Sequence, residues 1–248
     1  MPSNVLITGA NRGLGLGLAK RYLNLPGQTV IALIRDPSSP SSTSLRTLPK
    51  HATSRLIILK YDASIESDAF DAIAELRNTH GINTLDIVFA NAGIAKSYPL
   101  VKDVTRAEIL EHVDVNALAV VSLYQAGREL LEQSTRAEKP VFAIMGSGGG
   151  AVGRQPPVPS AVYGASKSLL NWYGVRINAE DEWLNTFILD PGWSATDMGN
   201  TAAKGWGLES APDSVDEVCD GIVKVVSEAT KGEIGGKMIK YTGEVMGW

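Results

Sequence analysis

The chain of 248 residues holds one cysteine, Cys219, so no intrachain disulfide can form and no cysteine cluster can bind zinc. A lone thiol of this kind fits a packing role in a reducing compartment. Histidine is also sparse. His51, His80 and His112 show no metal-ligand spacing, so they are read as surface or packing residues, with no metal site. No run of about 18 apolar residues is present to span a bilayer. The segment Met1-Pro2-Ser3-Asn4 leads into an apolar run without a basic stretch or a small-residue cleavage site, so no signal peptide is read there. Val245-Met246-Gly247-Trp248 matches no lipidation or peroxisomal signal. The expectation is a cytoplasmic protein without a membrane span. Clustered positive charge is missing too. The 23 Lys and Arg are outnumbered by 27 Asp and Glu, a net charge of −4, which argues against a nucleic-acid partner.

The chain has enough apolar material for a full core. Hydrophobic residues make up 44% of it, and a chain of this size buries about 70% of its unfolded surface. Seven short runs read as strands: Val5 to Ile7, Thr29 to Ile34, Leu56 to Leu59, Leu85 to Ala90, Val141 to Met145, Thr186 to Leu189 and Lys237 to Tyr241. They are nearly continuous in apolar residues rather than alternating, the pattern of parallel strands buried on both faces. Helical periodicity fills the intervals. Val215, Val218, Cys219, Ile222, Val225 and Val226 fall on one helical face, with Ser214 and Glu217 spaced as a capping box. Phe70, Ile73, Ala74 and Leu76 mark another amphipathic stretch. The Pro37 to Ser44 segment reads as an exposed loop, and the stretch from Pro191 to Ala211 as a long irregular one. The predicted architecture is α/β, a Rossmann-type doubly wound sheet of seven mainly parallel strands with helices on both faces. It forms a single domain over residues 1–248.

Glycine is in excess, at 25 residues, and its placement is informative. The first strand runs into Thr8-Gly9-Ala10-Asn11-Arg12-Gly13-Leu14-Gly15, followed by a helix from about Leu14 to Leu23. Glycines there let the backbone turn sharply and approach a pyrophosphate, and the helix start presents unpaired N–H groups and the positive end of its dipole. The spacing Gly-x-x-x-Gly-x-Gly is one residue longer in its first gap than the common dinucleotide fingerprint. A second pattern is Tyr163-Gly164-Ala165-Ser166-Lys167, in which Tyr163 and Lys167 share one helical face. An ammonium beside a phenol favours the phenolate, so Lys167 is expected to lower the pKa of Tyr163 toward neutrality. Ser147 ends the fifth strand run, in Gly146-Ser147-Gly148-Gly149-Gly150.

In these motifs the chain resembles the classical short-chain dehydrogenases/reductases. The Thr8 to Gly15 turn is similar to that family's nucleotide signature, and Asn91, Ala92 and Gly93 to its Asn-Ala-Gly motif. The resemblance implies a cofactor site comprising Gly9, Asn11, Arg12, Gly13, Leu14, Gly15, Arg35, Asp62, Ala63, Asn91, Ala92, Gly93, Tyr163, Lys167, Pro191, Gly192 and Thr196. Asp62 would lie near the adenine and Thr196 at the nicotinamide carboxamide. Where NAD-selective sites carry a carboxylate at the end of the second strand, this chain has Arg35. Arg35 and Arg12 together suit a 2′-phosphate, predicting NADPH and NADP+ over NAD by about one to two orders of magnitude. Asp36 opposes this, since a carboxylate there accepts ribose hydroxyls.

The same resemblance implies a catalytic set of Asn116, Ser147, Tyr163 and Lys167. Ser147 would polarise a carbonyl, Tyr163 donate a proton, Lys167 tune Tyr163 and grip the nicotinamide ribose, and Asn116 hold a water of the proton relay. The interval from Ser147 to Tyr163 is longer than usual in the family, and Gly146 replaces a common serine. The extra residues between Gly148 and Ser160 are expected to bulge toward the substrate, with Ser160 a lesser candidate hydroxyl. Asn11 to Leu18, Trp183-Leu184 and Asp190 to Gly199 resemble the fungal norsolorinic acid ketoreductase-like subgroup. That likeness implies NADPH-dependent reduction of a bulky apolar or aromatic, polyketide-like ketone. The alternative is a non-catalytic NADP-binding sensor or scaffold. A dehydratase or epimerase on this fold would carry a larger C-terminal substrate domain. The resemblance also implies a homodimer or homotetramer, joined through the helices holding Asn116 and Tyr163.

Overall fold

The protein is described here as a computed structural model covering residues 3–136, 138–228 and 230–248. Met1 and Pro2, part of the segment read for targeting, lie outside the described residues. The strands are β1 (Ser3–Thr8), β2 (Gln28–Ile34), β3 (Arg55–Lys60), β4 (Ile87–Ala90), β5 (Val141–Met145), β6 (Asn185–Asp190), β7 (Met238–Lys240) and β8 (Val245–Met246). They form one sheet in the order β3-β2-β1-β4-β5-β6-β7-β8. Every neighbouring pair is parallel except β7 with β8.

The continuous apolar runs follow from burial on both faces. Successive strand residues point to opposite sides. Val5 and Ile7 of β1 join one core, under α1 (Gly13–Asn24) and α8 (Val215–Glu228). Leu6 between them joins the other, under α3 (Glu66–Asn78), α5 (Ala119–Glu132) and α6 (Tyr163–Glu180). Full burial of each such side chain contributes about 1.5–3 kcal/mol, so each run stabilises two layers at once. The remaining helices are α2 (Pro40–Arg46), α4 (Arg106–Val113), α7 (Asp197–Gly205) and α9 (Lys231–Ile234), and a π-helical turn, Asp114–Leu118, joins α4 to α5. No helix of the described residues is long and apolar enough to cross a membrane.

The sheet has eight strands rather than the seven expected. Gly243, at φ +93°, reverses the chain, and Val245 and Met246 return antiparallel beside Ile239 and Met238. Two residues are too few to show periodicity. Leu85 and Asp86 precede β4 instead of belonging to it: Leu85 N–H donates to Leu130 O, and the Asp86 carboxylate accepts from Asn4 N–H and the Ser134 hydroxyl. Pro40 starts a helix inside the segment read as a loop, as proline does at a first helical position. The stretch after Pro191 likewise holds α7, capped by Thr196, whose hydroxyl accepts from Gly199 N–H. Phe70 faces solvent while Ala69, Ala72, Ile73 and Leu76 form the buried face of α3.

Candidate active site

β1 lies between β2 and β4, so the strand order reverses at its C-terminal end, where open α/β sheets form a crevice. A cleft of about 1220 Å³ opens there. Gly9 turns the chain out of β1 at φ +65°, its N–H donating to Leu33 O. Gly15 packs under this turn, where a Cβ would sit 2.3 Å from Gly9 O and 2.7 Å from Asn91 Nδ2. No other residue fits. The Thr8 hydroxyl accepts from Asn91 N–H at 2.9 Å and Ala92 N–H at 2.8 Å, and Asn91 Nδ2 donates to Thr8 O at 2.8 Å. The glycine turn and the Asn91-Ala92-Gly93 segment are thus one hydrogen-bonded unit. This cradle, at the start of a twelve-residue helix, fits a dinucleotide pyrophosphate.

Arg12 and Arg35 are exposed at the far end of the cleft. Asp36 is turned away: its carboxylate accepts from the Ser38 N–H and hydroxyl, which hold it below the ordinary carboxylate range. Both bonds fall on Oδ1, which gives the carboxylate local partners at the end of β2. Burial pushes the Asp62 carboxyl up, but the Ser64 N–H and hydroxyl and the charges of Arg35 and Lys60 outweigh it and leave it low. Asn11 Nδ2 donates to the Ser41 hydroxyl at 2.7 Å, which ties the glycine turn to α2.

Ser147, Tyr163 and Lys167 meet at the other end. Ser147 follows β5, and its Oγ accepts from Gly149 N–H at 3.1 Å. A Cβ on Gly149 would lie 3.3 Å from Ser147 Oγ and 3.7 Å from Tyr163 Cε1, and one on Gly150 would clash with Lys167 at 2.7 Å. The glycine run therefore lets the serine turn close against α6. Two 3₁₀ turns, Gly148–Gly150 and Val152–Arg154, fill the long interval to Tyr163. Arg154, Pro156, Pro157 and Val158 then line the cleft, as the bulge reading expected. Ser160 Oγ accepts from Gly164 N–H at 3.0 Å, in the first turn of α6.

The expected electrostatics of the Tyr163–Lys167 pair are corrected. Lys167 Nζ donates to Met145 O at 2.7 Å and lies 5.9 Å from the Tyr163 ring centroid. Burial pushes the Tyr163 phenol up to about 12, against the pull of the Ser147 hydrogen bond, with Tyr98 and Asp190 raising it further. Burial likewise lowers Lys167 to about 8. Desolvation of both groups outweighs the attraction expected from their spacing.

Asn116 is fully buried in the π turn, behind the cleft wall rather than lining it. Its Oδ1 accepts from Ile94 N–H at 2.8 Å, and its Nδ2 donates to Ile94 O and the Ser166 hydroxyl, both at 2.9 Å. Ser166 in turn donates to Tyr163 O. The Asn116 side chain thus braces the cleft wall against α6, with both Nδ2 hydrogens and one acceptor site of Oδ1 engaged by protein groups. Gly15 also lies beneath the lining. Gly9, Asn11, Arg12, Gly13, Leu14, Arg35, Asp62, Ala63, Asn91, Ala92, Gly93, Ser147, Tyr163, Lys167, Pro191, Gly192 and Thr196 all face the same cleft. Gly13 and Thr196 approach each other, 3.2 Å separating Thr196 Cγ2 from a Cβ built on Gly13. Sequence reasoning missed Tyr98, placed Lys240 only in a strand, and reached Arg154 only as part of the bulge between Gly148 and Ser160. Among the described residues no cluster of His, Cys, Asp and Glu is arranged to hold a metal.

The profile of the short chain dehydrogenase family matches residues 3–205. Norsolorinic acid ketoreductase nor1 of Dothistroma septosporum is 36% identical over 239 residues, spanning 95% of this chain and 88% of that protein. The norsolorinic acid ketoreductase of Aspergillus parasiticus is 34% identical over 247 residues, 98% of this chain and 90% of that one. The NADPH-bound carbonyl reductase from chicken fatty liver superposes with a TM-score of 0.87 at 26% identity, covering 100% of this chain and 99% of its own. With the glycine cradle and the switch-point cleft in place, these matches make the chain a member of the short-chain dehydrogenase family of oxidoreductases.

Proposed function

We propose that the protein reduces the carbonyl of a bulky apolar or aromatic ketone to an alcohol, with NADPH as reductant. The observation that carries this reading is the convergence of Ser147 and Tyr163 in the cleft that continues from the glycine cradle. When bound, the reduced nicotinamide supplies a hydride to the carbonyl carbon. The Ser147 hydroxyl donates a hydrogen bond to the carbonyl oxygen. The Tyr163 hydroxyl, protonated at neutral pH, delivers its proton to that oxygen as negative charge grows there. Lys167, largely a cation at pH 7, sits one helical turn behind Tyr163 and holds the site's positive charge. Asn116 keeps the Ile94 segment and α6 in register through its three hydrogen bonds. Arg12 and Arg35 would hold the 2′-phosphate of NADPH, Asp62 and Ala63 the adenine, and Pro191, Gly192 and Thr196 the nicotinamide end of the same cleft. The names of the fungal relatives and the NADPH-bound neighbour support this assignment.

In this reading residues 1–248 act as one catalytic domain in a homodimer or homotetramer. Exposed apolar side chains on the π turn and α6, Leu118 and Trp172, support the assembly, and light scattering on the purified protein checks it. The activity is tested by following NADPH oxidation against a panel of aromatic and aliphatic ketones, with NADH alongside. Turnover with NADPH on a panel member is expected. Tight NADPH binding without turnover of any ketone would overturn the reductase reading.

A further inference from the structure

The two walls of the cleft touch each other through aromatic rings. Tyr98 comes from the segment between β4 and α4, and Trp206 follows α7 on the opposite wall. Their ring centroids are 5.1 Å apart at an interplanar angle of 66°, an edge-to-face contact. Trp206 in turn meets Trp193 at 5.3 Å, and Tyr98 meets Tyr163 at 6.4 Å. A series of four rings therefore crosses the cleft and ends on the group proposed as the acid. The series is anchored at Trp193, whose indole N–H donates to Gly199 O at 3.1 Å. No side-chain hydrogen bond holds Tyr98 or Trp206 among the described residues. Their side chains meet other rings without a polar tether.

Ring contact is selective in a way that plain apolar area is not. Aromatic pairs prefer tilted or offset arrangements because the ring faces are negative and the edges positive. A flat aromatic molecule entering between Tyr98 and Trp206 breaks one ring pair and forms two. An aliphatic ketone of similar size breaks the same pair and forms none. We propose that Tyr98 and Trp206 form a latch that admits planar aromatic ketones in preference to aliphatic ones, with Trp206 as the specificity-determining side chain. The proposal rests on the reading of Ser147 and Tyr163 as the site of ketone reduction, because it places the flat substrate beside Tyr163.

The test is equilibrium binding to the full chain saturated with NADP+, which prevents turnover. Calorimetric titrations compare 2-acetonaphthone with 2-decanone in the unaltered protein and in Trp206→Leu, Trp206→Phe and Tyr98→Leu. The unaltered protein is expected to prefer 2-acetonaphthone by about 10- to 100-fold, the equivalent of the two ring pairs that separate the ketones. Trp206→Leu and Tyr98→Leu, which each leave one ring for the flat ketone to stack on, should cut that preference by about three- to tenfold, Trp206→Phe should retain most of it, and NADP+ affinity should stay the same throughout. Equal affinity for the two ketones in the unaltered protein, or no binding of either, would overturn the latch. So would an equal loss for both ketones in Trp206→Leu with the preference retained. Tyr98→Leu reads the same contact from the other wall should either Trp206 variant fail to fold. Because binding decides the matter, absence of turnover with NADPH counts against the reductase reading alone.

Discussion

Arg154 Nη2 lies 3.4 Å from Asp190 Oδ2, and the pair closes over Gly148, where a Cβ would come within 2.9 Å of the carboxylate and 3.2 Å of the guanidinium. Asp190 is buried at the end of β6, and its charge is one of the influences that raise the Tyr163 phenol after burial itself. The turn presenting Ser147 therefore rests on an ion pair that also sets the charge near Tyr163. Alcohol oxidation, the reverse reaction, needs the phenolate, so its rate rises with pH through the Tyr163 pKa. Asp190→Asn removes a negative charge and favours the phenolate. Its rising limb is expected at lower pH, while Arg154→Met, which leaves Asp190 without its ion-pair partner, moves the limb the other way. Opposite displacements identify an electrostatic role. A uniform fall in rate with an unmoved profile would mean the pair only supports the loop.

Tyr163→Phe removes the proton donor and leaves the ring against Tyr98. Ketone reduction by NADPH is expected to fall by about 10²–10⁴, with NADPH affinity little changed. Turnover and cofactor fluorescence, measured on one preparation, separate the two. An undiminished rate would remove Tyr163 from the mechanism.

Lys167 should be a net cost to folding. Its pKa is lowered by burial from the ordinary 10.5 to about 8. Between those values the unfolded chain binds the proton and the folded one does not, so stability rises with pH through that window. Below about pH 8 both states are charged and the full penalty applies. Lys167→Met deletes the charge but leaves Met145 O without its donor. On balance the variant is expected to be more stable than the parent at pH 7, by about 1–3 kcal/mol. The gain should shrink as pH approaches 10, while turnover is lost at every pH. Denaturant melts across pH check the sign. A Lys167→Met protein less stable at pH 7 would show that the Met145 hydrogen bond outweighs desolvation.

These relationships show which parts of the site were legible in the sequence. The glycine turn and the Tyr163–Lys167 spacing are local, so periodicity and turn chemistry expose them. The two faces of β1 are equally readable, because Val5, Leu6 and Ile7 are all apolar. Depth of burial is not local. The spacing of Tyr163 and Lys167 predicts mutual stabilisation of their charges, yet burial of both reverses that expectation. Asn116 shows the same limit: its residue type is visible, but the partners that fill its hydrogen-bonding groups come from Ile94 and Ser166. Tyr98 joins the cleft only because the segment after β4 folds over the C-terminal ends of the strands, and no motif marks it; Arg154 and Trp206 lie in stretches readable as a bulge and as an irregular apolar loop, where no motif fixes the position of a single side chain. β8 escaped notice because Gly243, not an apolar pattern, creates it.

Cofactor choice gives a prediction at the opposite end of the cleft. Arg35 follows β2 with an exposed side chain, Arg12 stands at the start of α1, and Asp36 is held by Ser38. Two exposed guanidinium groups beside a carboxylate that has local partners favour a ligand with an added phosphate. A charge-assisted hydrogen bond contributes about 1.5–3 kcal/mol, so Arg35→Ala should raise the NADPH dissociation constant by about 10- to 100-fold. NADH binding, which has no 2′-phosphate to lose, should change by less than about threefold. Arg12→Ala should act in the same direction, and the double variant should bring the two affinities together. Ser38→Ala removes the hydroxyl bond to Asp36, keeps the N–H bond, and so loosens the carboxylate, which should strengthen NADH relative to NADPH. Fluorescence titration of the reduced cofactors measures all four. Parallel losses for NADPH and NADH in Arg35→Ala would show that the arginine holds the adenosine as a whole rather than its phosphate.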